Sequence, residues 1–191
     1  MNDNVKSIGS PKTSVPRVWI GLIFVVAPFL LLMSGSPGYE MQRFDSQGNM
    51  EDLTPSNPMI PYAAILLIIG WGYWIYCIHR MHKVLLHTKS DYPISPNKAA
   101  WFNLIPFYNL VWVFQWTNQI VKYVNENSSQ KMLVGWTGAF LCFGLVITYL
   151  FTISLFNNTE SSLAIFSIAL GIIMIVGIFI TKKIYKTITV V

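Results

Sequence analysis

Apolar residues in this chain do not alternate with polar ones over short periods; they come in four long blocks. Residues 18–33 (VWIGLIFVVAPFLLLM), 59–78 (MIPYAAILLIIGWGYWIYCI), 132–156 (MLVGWTGAFLCFGLVITYLFTISLF) and 163–181 (LAIFSIALGIIMIVGIFIT) contain no Asp, Glu, Lys or Arg. A helix rises about 1.5 Å per residue, so about 20 such residues cover a hydrocarbon layer of roughly 30 Å. A soluble domain of similar length would divide its apolar residues into amphipathic periods instead. The pattern predicts an all-α integral membrane protein, a helical bundle with four transmembrane helices. The first block is the shortest and carries Pro28. Between the blocks lie an N-terminal tail (1–17), a loop (34–58), a long connection (79–131) and a basic tail (182–191).

Composition agrees with this reading. Of 191 residues, 53% are hydrophobic and only 11% charged, and the mean hydropathy is +0.50. The net charge of +5 is unevenly placed. With the N-terminus inside and only the four blocks crossing, twelve of the thirteen Lys and Arg residues face the cytoplasm, and Arg43 alone lies outside. The acids divide the other way, with Glu40, Asp45, Glu51, Asp52 and Glu160 outside. Basic residues collect on the cytoplasmic side of membrane proteins, so both termini are expected there. A fifth crossing over residues 99–118 would move Lys122, Lys131, Lys182, Lys183 and Lys186 to the outer face, which weighs against it. The first block also has the layout of a signal peptide, but the leader before it is long and Pro37 follows the small residues. The expectation is an uncleaved anchor. The acidic loop is rich in turn formers and has room for a small hairpin around DSQGN, without an alternation to define strands.

The connection contains the most unusual segment. In SPNKAAWFNLIPFYNLVWVFQWTNQIVKYVN (95–125), Pro106 removes a backbone donor in mid-segment, flanked by Asn103 and Asn109. The segment reads as a short helix, a break at IPFYN and a second helix from about Leu110. On that helix Gln115, Asn118, Gln119, Lys122 and Glu126 recur at helical spacing and form one polar stripe. Phe114, Thr117, Val121 and Val124 lie opposite, with Trp112, Trp116 and Tyr123 on the flanks. Trp and Tyr favour the membrane interface. The prediction is a Pro-broken re-entrant or interfacial element over 98–126, its stripe toward water. Asn103, Pro106, Asn109, Gln115 and Gln119 are its candidate functional residues. The two asparagines either satisfy a broken backbone at membrane depth and serve a ligand, or simply cap a kinked helix.

This run resembles a segment of uncharacterised bacterial multi-pass membrane proteins, a family of unknown function with the pattern P-x-K-A, a short apolar gap, then I-P-F-x-N-L-x-W-x-F. Pro96, Lys98 and Ala99 match the first part; Ile105, Pro106, Phe107, Asn109, Leu110, Trp112 and Phe114 match the second. The residue before Trp112 is aromatic in that pattern and is Val111 here. The likeness covers about residues 70–125, a third of the chain. It implies a bacterial cytoplasmic (inner) membrane protein and carries no activity, cofactor or catalytic residue with it.

Other chemistry is sparse. His79 and His82 are three apart on a helix and within reach of one metal ion, but no acid or cysteine nearby completes a set. His79, Arg80, His82 and Lys83 read better as a basic collar beside lipid phosphates. No apolar block carries Asp, Glu, Lys, Arg or His, which weighs against ion-coupled transport and voltage sensing. Hydroxyls such as Ser154 and Ser167 have no histidine or acid within the blocks to activate them. Cys77 and Cys142 read as apolar packing residues. Gly135 with Ala139, and Ser167 with Gly171, form small-xxx-small pairs suited to close helix contact. The aromatic and glycine-rich run from Gly70 to Tyr76 reads as an interfacial belt.

No cofactor, metal or nucleic-acid partner is expected. The leading expectation is a non-enzymatic membrane accessory or interaction protein, engaging membrane lipids or a membrane protein partner through residues 95–126. The alternatives are a passive pore or small-solute transporter lined by the amides, and a lipid-modifying membrane enzyme using the histidines. Cysteines introduced at positions 90, 128 and 188 of a cysteine-free protein should label from the cytoplasmic face alone. Labelling of position 128 or 188 from outside intact cells would refute the topology.

Overall fold

The computed structural model describes residues 14–34, 58–88, 91–127, 132, 135–154 and 159–190. The loop around DSQGN lies outside them. A 3-10 turn over Val18–Leu22 leads into α1 (Ile23–Ser34); then come α2 (Ile60–Thr88), α3 (Pro96–Phe102), α4 (Tyr108–Asn127), α5 (Trp136–Ser154) and α6 (Thr159–Val190). The protein is all-helical over the described residues. Among the described residues two helices are long and apolar enough to cross a membrane, Ile60–Thr88 and Leu163–Ile188. The other two apolar blocks form shorter apolar helices, Val18–Ser34 and Trp136–Thr148.

Local chemistry accounts for the boundaries. Ser95 caps α3, its hydroxyl accepting the Lys98 backbone N–H at 3.3 Å, and Pro96 occupies the first turn, where no donor is needed. At the end of α4 the Asn125 side chain accepts from Met132 N–H at 2.6 Å and donates to Met132 C=O at 3.0 Å. One amide thus closes the turn toward α5 with both of its hydrogen-bonding ends. Gly135 sits just before α5 with φ +83, a conformation that favours glycine. It is therefore a turn residue and not half of a small-residue contact stripe, as its spacing from Ala139 suggested.

α6 is the central element, packed against α1, α2, α4 and α5. The buried core gathers Leu67, Trp74 and Ile78 of α2 with Leu141 and Leu145 of α5 and Leu170, Ile173, Met174 and Ile180 of α6. Glycines let these helices approach. A Cβ added at Gly144 would lie 2.7 Å from Ile173 Cγ1, and one at Gly70 would lie 2.8 Å from Phe24 Cβ. Gly177 of α6 faces the Trp74 ring so closely that a Cβ there would overlap Cζ3. Trp74 is only 2% exposed, which corrects its reading as part of an interfacial belt. A glycine on the facing helix opens a slot for the ring, and the slot is invisible to a periodicity argument. Neighbouring Tyr73 donates its hydroxyl to the Arg17 carbonyl at 2.8 Å and so ties α2 to the chain entering α1.

Gly177→Leu should destabilise the bundle by about 1–3 kcal/mol, because the Trp74 ring has no vacant space to enter. Gly72→Leu is the control, since nothing lies within 4 Å of a Cβ built there. Thermal unfolding in detergent should show a lower midpoint for the first variant and an unchanged one for the second.

Candidate functional site

α3 and α4 form a helical hairpin whose break falls at Asn103–Phe107. The last carbonyls of a helix need partners from outside it. At the end of α3, Ala100 C=O accepts from Asn103 N–H and Trp101 C=O from Leu104 N–H. Ala99 C=O accepts from two side chains, Asn103 Nδ2 at 2.5 Å and Trp112 Nε1 at 3.3 Å. Asn109 Nδ2 then donates to Asn103 C=O at 3.3 Å. Both asparagines are buried. Of the two roles open to them in the sequence, the geometry places them at the helix end, closing the break.

Beyond the break the backbone turns sharply. Phe107 has φ +60, and Tyr108 N–H donates to Pro106 C=O at 2.6 Å, the pattern of a tight three-residue turn. For a bulky residue this conformation costs on the order of 1–3 kcal/mol. What the strain holds outward is apolar: Phe107 is 73% exposed and Trp101 67%, with Leu104, Ile105, Pro106 and Val111 exposed beside them. Behind this knuckle three rings lock the hairpin. Phe102 meets Tyr108 and Trp112 edge-on at 5.2 and 4.9 Å, and Lys98 Nζ lies 5.4 Å from the Phe102 ring centre.

α4 keeps its polar stripe as predicted. Gln115, Asn118, Lys122 and Glu126 are exposed and Gln119 is half-buried. The flanks differ from expectation. Trp112, Trp116 and Tyr123 are buried, packed within the bundle instead of standing as interfacial anchors. α4 lies against α5, with Phe114 and Thr117 over Gly138, so its apolar face meets protein. The second helix is therefore an integral part of the core as well as a surface element. Its stripe borders two clefts. One of about 200 Å³ is lined by Asp91, Tyr92, Gln119, Lys122, Tyr123 and Glu126. The other, of about 350 Å³, is lined by Ile94, Lys98, Trp112, Gln115, Asn118 and Gln119.

The basic collar divides. His79 is half-buried, with Nε2 3.2 Å from Asn97 Oδ1, and Arg80 donates to the Ser14 carbonyl at 3.2 Å. Lys83 is half-buried. His82 leaves the collar altogether: it is fully buried, with Nδ1 2.9 Å from the Tyr92 hydroxyl and its ring edge-on to Trp116. It does not stand beside lipid phosphates as its neighbours predict, because the 91–94 segment folds back over that face of α2 and covers the imidazole. Burial pushes the Tyr92 phenol well above its ordinary range. It raises that of Tyr123 too. Two nitrogens in this region, His82 Nε2 and Trp116 Nε1, are buried without a hydrogen-bond partner. Among the described residues no three His, Cys, Asp or Glu side chains are grouped as metal ligands.

The exposed apolar tip and Tyr92 were not singled out in the sequence. The tip had a signal, an uncharged run from Ala99 to Gln115 spanning a proline break. Nothing local marked Tyr92, whose role depends on a partner ten residues away.

Asn109→Leu should cost about 1–3 kcal/mol by leaving the buried Asn103 carbonyl without that donor. Asn109→Asp should keep the size and lose the same donor. In denaturant or thermal unfolding both should fall below the parent protein, whereas a side chain serving only a ligand would leave stability unchanged. Searches against protein-family models, curated proteins and solved structures found no match, so the arrangement itself is the basis for a functional reading.

Proposed function

We propose that this is a four-span membrane protein with both termini in the cytoplasm. In this reading it acts non-enzymatically, and its α3–α4 hairpin engages membrane lipid through the apolar knuckle. The observation that carries the reading is the knuckle itself. A run of large apolar side chains stands outward on a strained turn, where a water-facing loop would carry polar groups. Trp101, Phe107 and Val111 are suited to the acyl region, and the exposed stripe from Gln115 to Glu126 to the aqueous side.

Two of the described helices are long, and the other two apolar helices also approach the width of a hydrocarbon layer. The 3-10 turn rises about 2.0 Å per residue and the α-helix about 1.5 Å, so Val18–Ser34 extends about 28 Å. By the same arithmetic Trp136–Ser154 also extends about 28 Å, close to a hydrocarbon layer of roughly 30 Å. All four apolar helices expose large side chains that water would penalise: Leu30 of α1, Ile68 of α2, Phe143 of α5 and Ile175 of α6. Engagement of the Asn103 and Asn109 amides by backbone carbonyls supports a lipid-contacting hairpin over a polar path lined by those amides.

Spin labels placed at Phe107→Cys and Lys122→Cys, on a Cys77→Ala/Cys142→Ala protein in liposomes, test the insertion. Position 107 should collide mainly with oxygen, which concentrates in the bilayer, and position 122 mainly with a water-soluble nickel complex. A label at 107 that is as accessible to nickel as the one at 122 would refute lipid engagement by the knuckle.

A further inference from the structure

A second site lies away from the hairpin, where the chain enters α1 and leaves α6. Residues 14–18 are held against α2 by two long-range hydrogen bonds, Tyr73 Oη to the Arg17 carbonyl and Arg80 Nη2 to the Ser14 carbonyl. Val18, 1% exposed, anchors the same segment in the core. This clamping sets Arg17 and Trp19 opposite the last turns of α6, across a cleft of about 580 Å³. Arg17, Lys182 and Lys186 line it together with Trp19 and Tyr185, above apolar Val18 and Ile178, and among the described residues no Asp or Glu is part of the lining. Lys182 and Lys186 are one helical turn apart and both exposed, as is Arg17. The neighbouring Lys183 is turned aside, its Nζ 5.5 Å from the Phe179 ring centre.

We infer that this cleft binds the headgroup of an anionic glycerophospholipid, with its phosphate between Arg17, Lys182 and Lys186. Three cations from two elements converge where two apolar helices end, the level at which lipid phosphates lie in the membrane reading on which this inference rests. Basic pockets between membrane helices on the cytoplasmic side suit such headgroups, and a guanidinium gives a phosphate two parallel donors. Trp19 and Tyr185 are amphipathic rings fit for the same level. The apolar floor argues for a lipid over a free phosphate ester: Val18 and Ile178 continue into the apolar runs of α1 and α6, along which an acyl chain can lie. The cleft is also far larger than a phosphate alone needs and lies within the usual range of ligand sites, about 300–1,000 Å³.

Full-length protein in a neutral detergent can be titrated with phosphatidylglycerol, with phosphatidylcholine of the same chains, and with soluble glycerol phosphate, following bound lipid by native mass spectrometry. Phosphatidylglycerol should bind in preference to the other two. Removing a cation should weaken it about five-fold at low salt, so Lys182→Gln should show that loss and Arg17→Gln/Lys182→Gln/Lys186→Gln a loss of about a hundredfold. Lys182→Arg/Lys186→Arg should retain binding. Lys122→Gln removes an exposed cation from α4 and should change nothing. Equal binding of phosphatidylcholine, full competition by glycerol phosphate, or an equal loss in Lys122→Gln and Lys182→Gln would each overturn the site. Should the triple variant not fold, the single variants decide. Fractionation of cells making the same proteins tests membrane residence separately, so a protein that stays in membranes but shows no preference refutes the cleft alone.

Discussion

A helix that ends inside apolar surroundings must have its last carbonyls satisfied by the protein, and here that requirement converges on one atom. The carbonyl oxygen of Ala99 accepts from Asn103 one turn on and from the Trp112 indole across the hairpin. The second of these bonds fixes the rotation of α4 relative to α3. Once Trp112 points inward, Trp116, Ile120 and Val124 follow on the same buried side, and Gln115, Asn118 and Lys122 face out. The Asn109 amide completes the closure at the Asn103 carbonyl. The chain between them is then pushed outward as a strained apolar knuckle. Cap, hairpin, core face and exposed tip are consequences of one desolvation constraint.

The rest of the bundle follows a different principle, close packing of large side chains into glycine slots. Trp74 against Gly177 and Ile173 against Gly144 bring α2 and α5 onto α6, so α6 gathers most of the contacts that order the fold. Dispersion over such contacts is short-ranged, so it depends on helices approaching closely enough for side chains to interdigitate. The same close approach positions the basic cleft. Val18 packs beside Gly177, and Tyr73 and Arg80 of α2 hold the preceding residues. Arg17 thereby comes to face Lys182 and Lys186 although the sequence separates them by most of its length. The two proposed lipid contacts thus differ in kind, an apolar knuckle for acyl chains and a cationic cleft for a headgroup.

Aromatic and imidazole side chains are where the fold departs most from the local pattern. Amphipathic rings favour interfaces, which predicts Trp74, Trp112, Trp116 and Tyr123 there, and Arg80 and Lys83 beside His82 predict a basic collar for it. All five are buried. Such rings suit a water boundary and a tight core equally well, and the choice depends on what stands opposite. For Trp74 that is a glycine on α6, for Trp112 a carbonyl on α3, and for His82 the Tyr92 hydroxyl.

The order of polar and apolar residues was enough to specify an all-helical chain, its four apolar blocks, a break around Pro106 and the polar stripe of α4. Each of these depends on neighbours within a turn or two, where backbone geometry and hydrophobic periodicity act. Tertiary structure alone decided which rings are core, that the asparagines close a helix end, that Phe107 stands outward, and that Arg17 meets the lysines of α6. Those outcomes depend on contacts between residues distant in sequence, set by how the helices rotate and approach, and no local pattern encodes that.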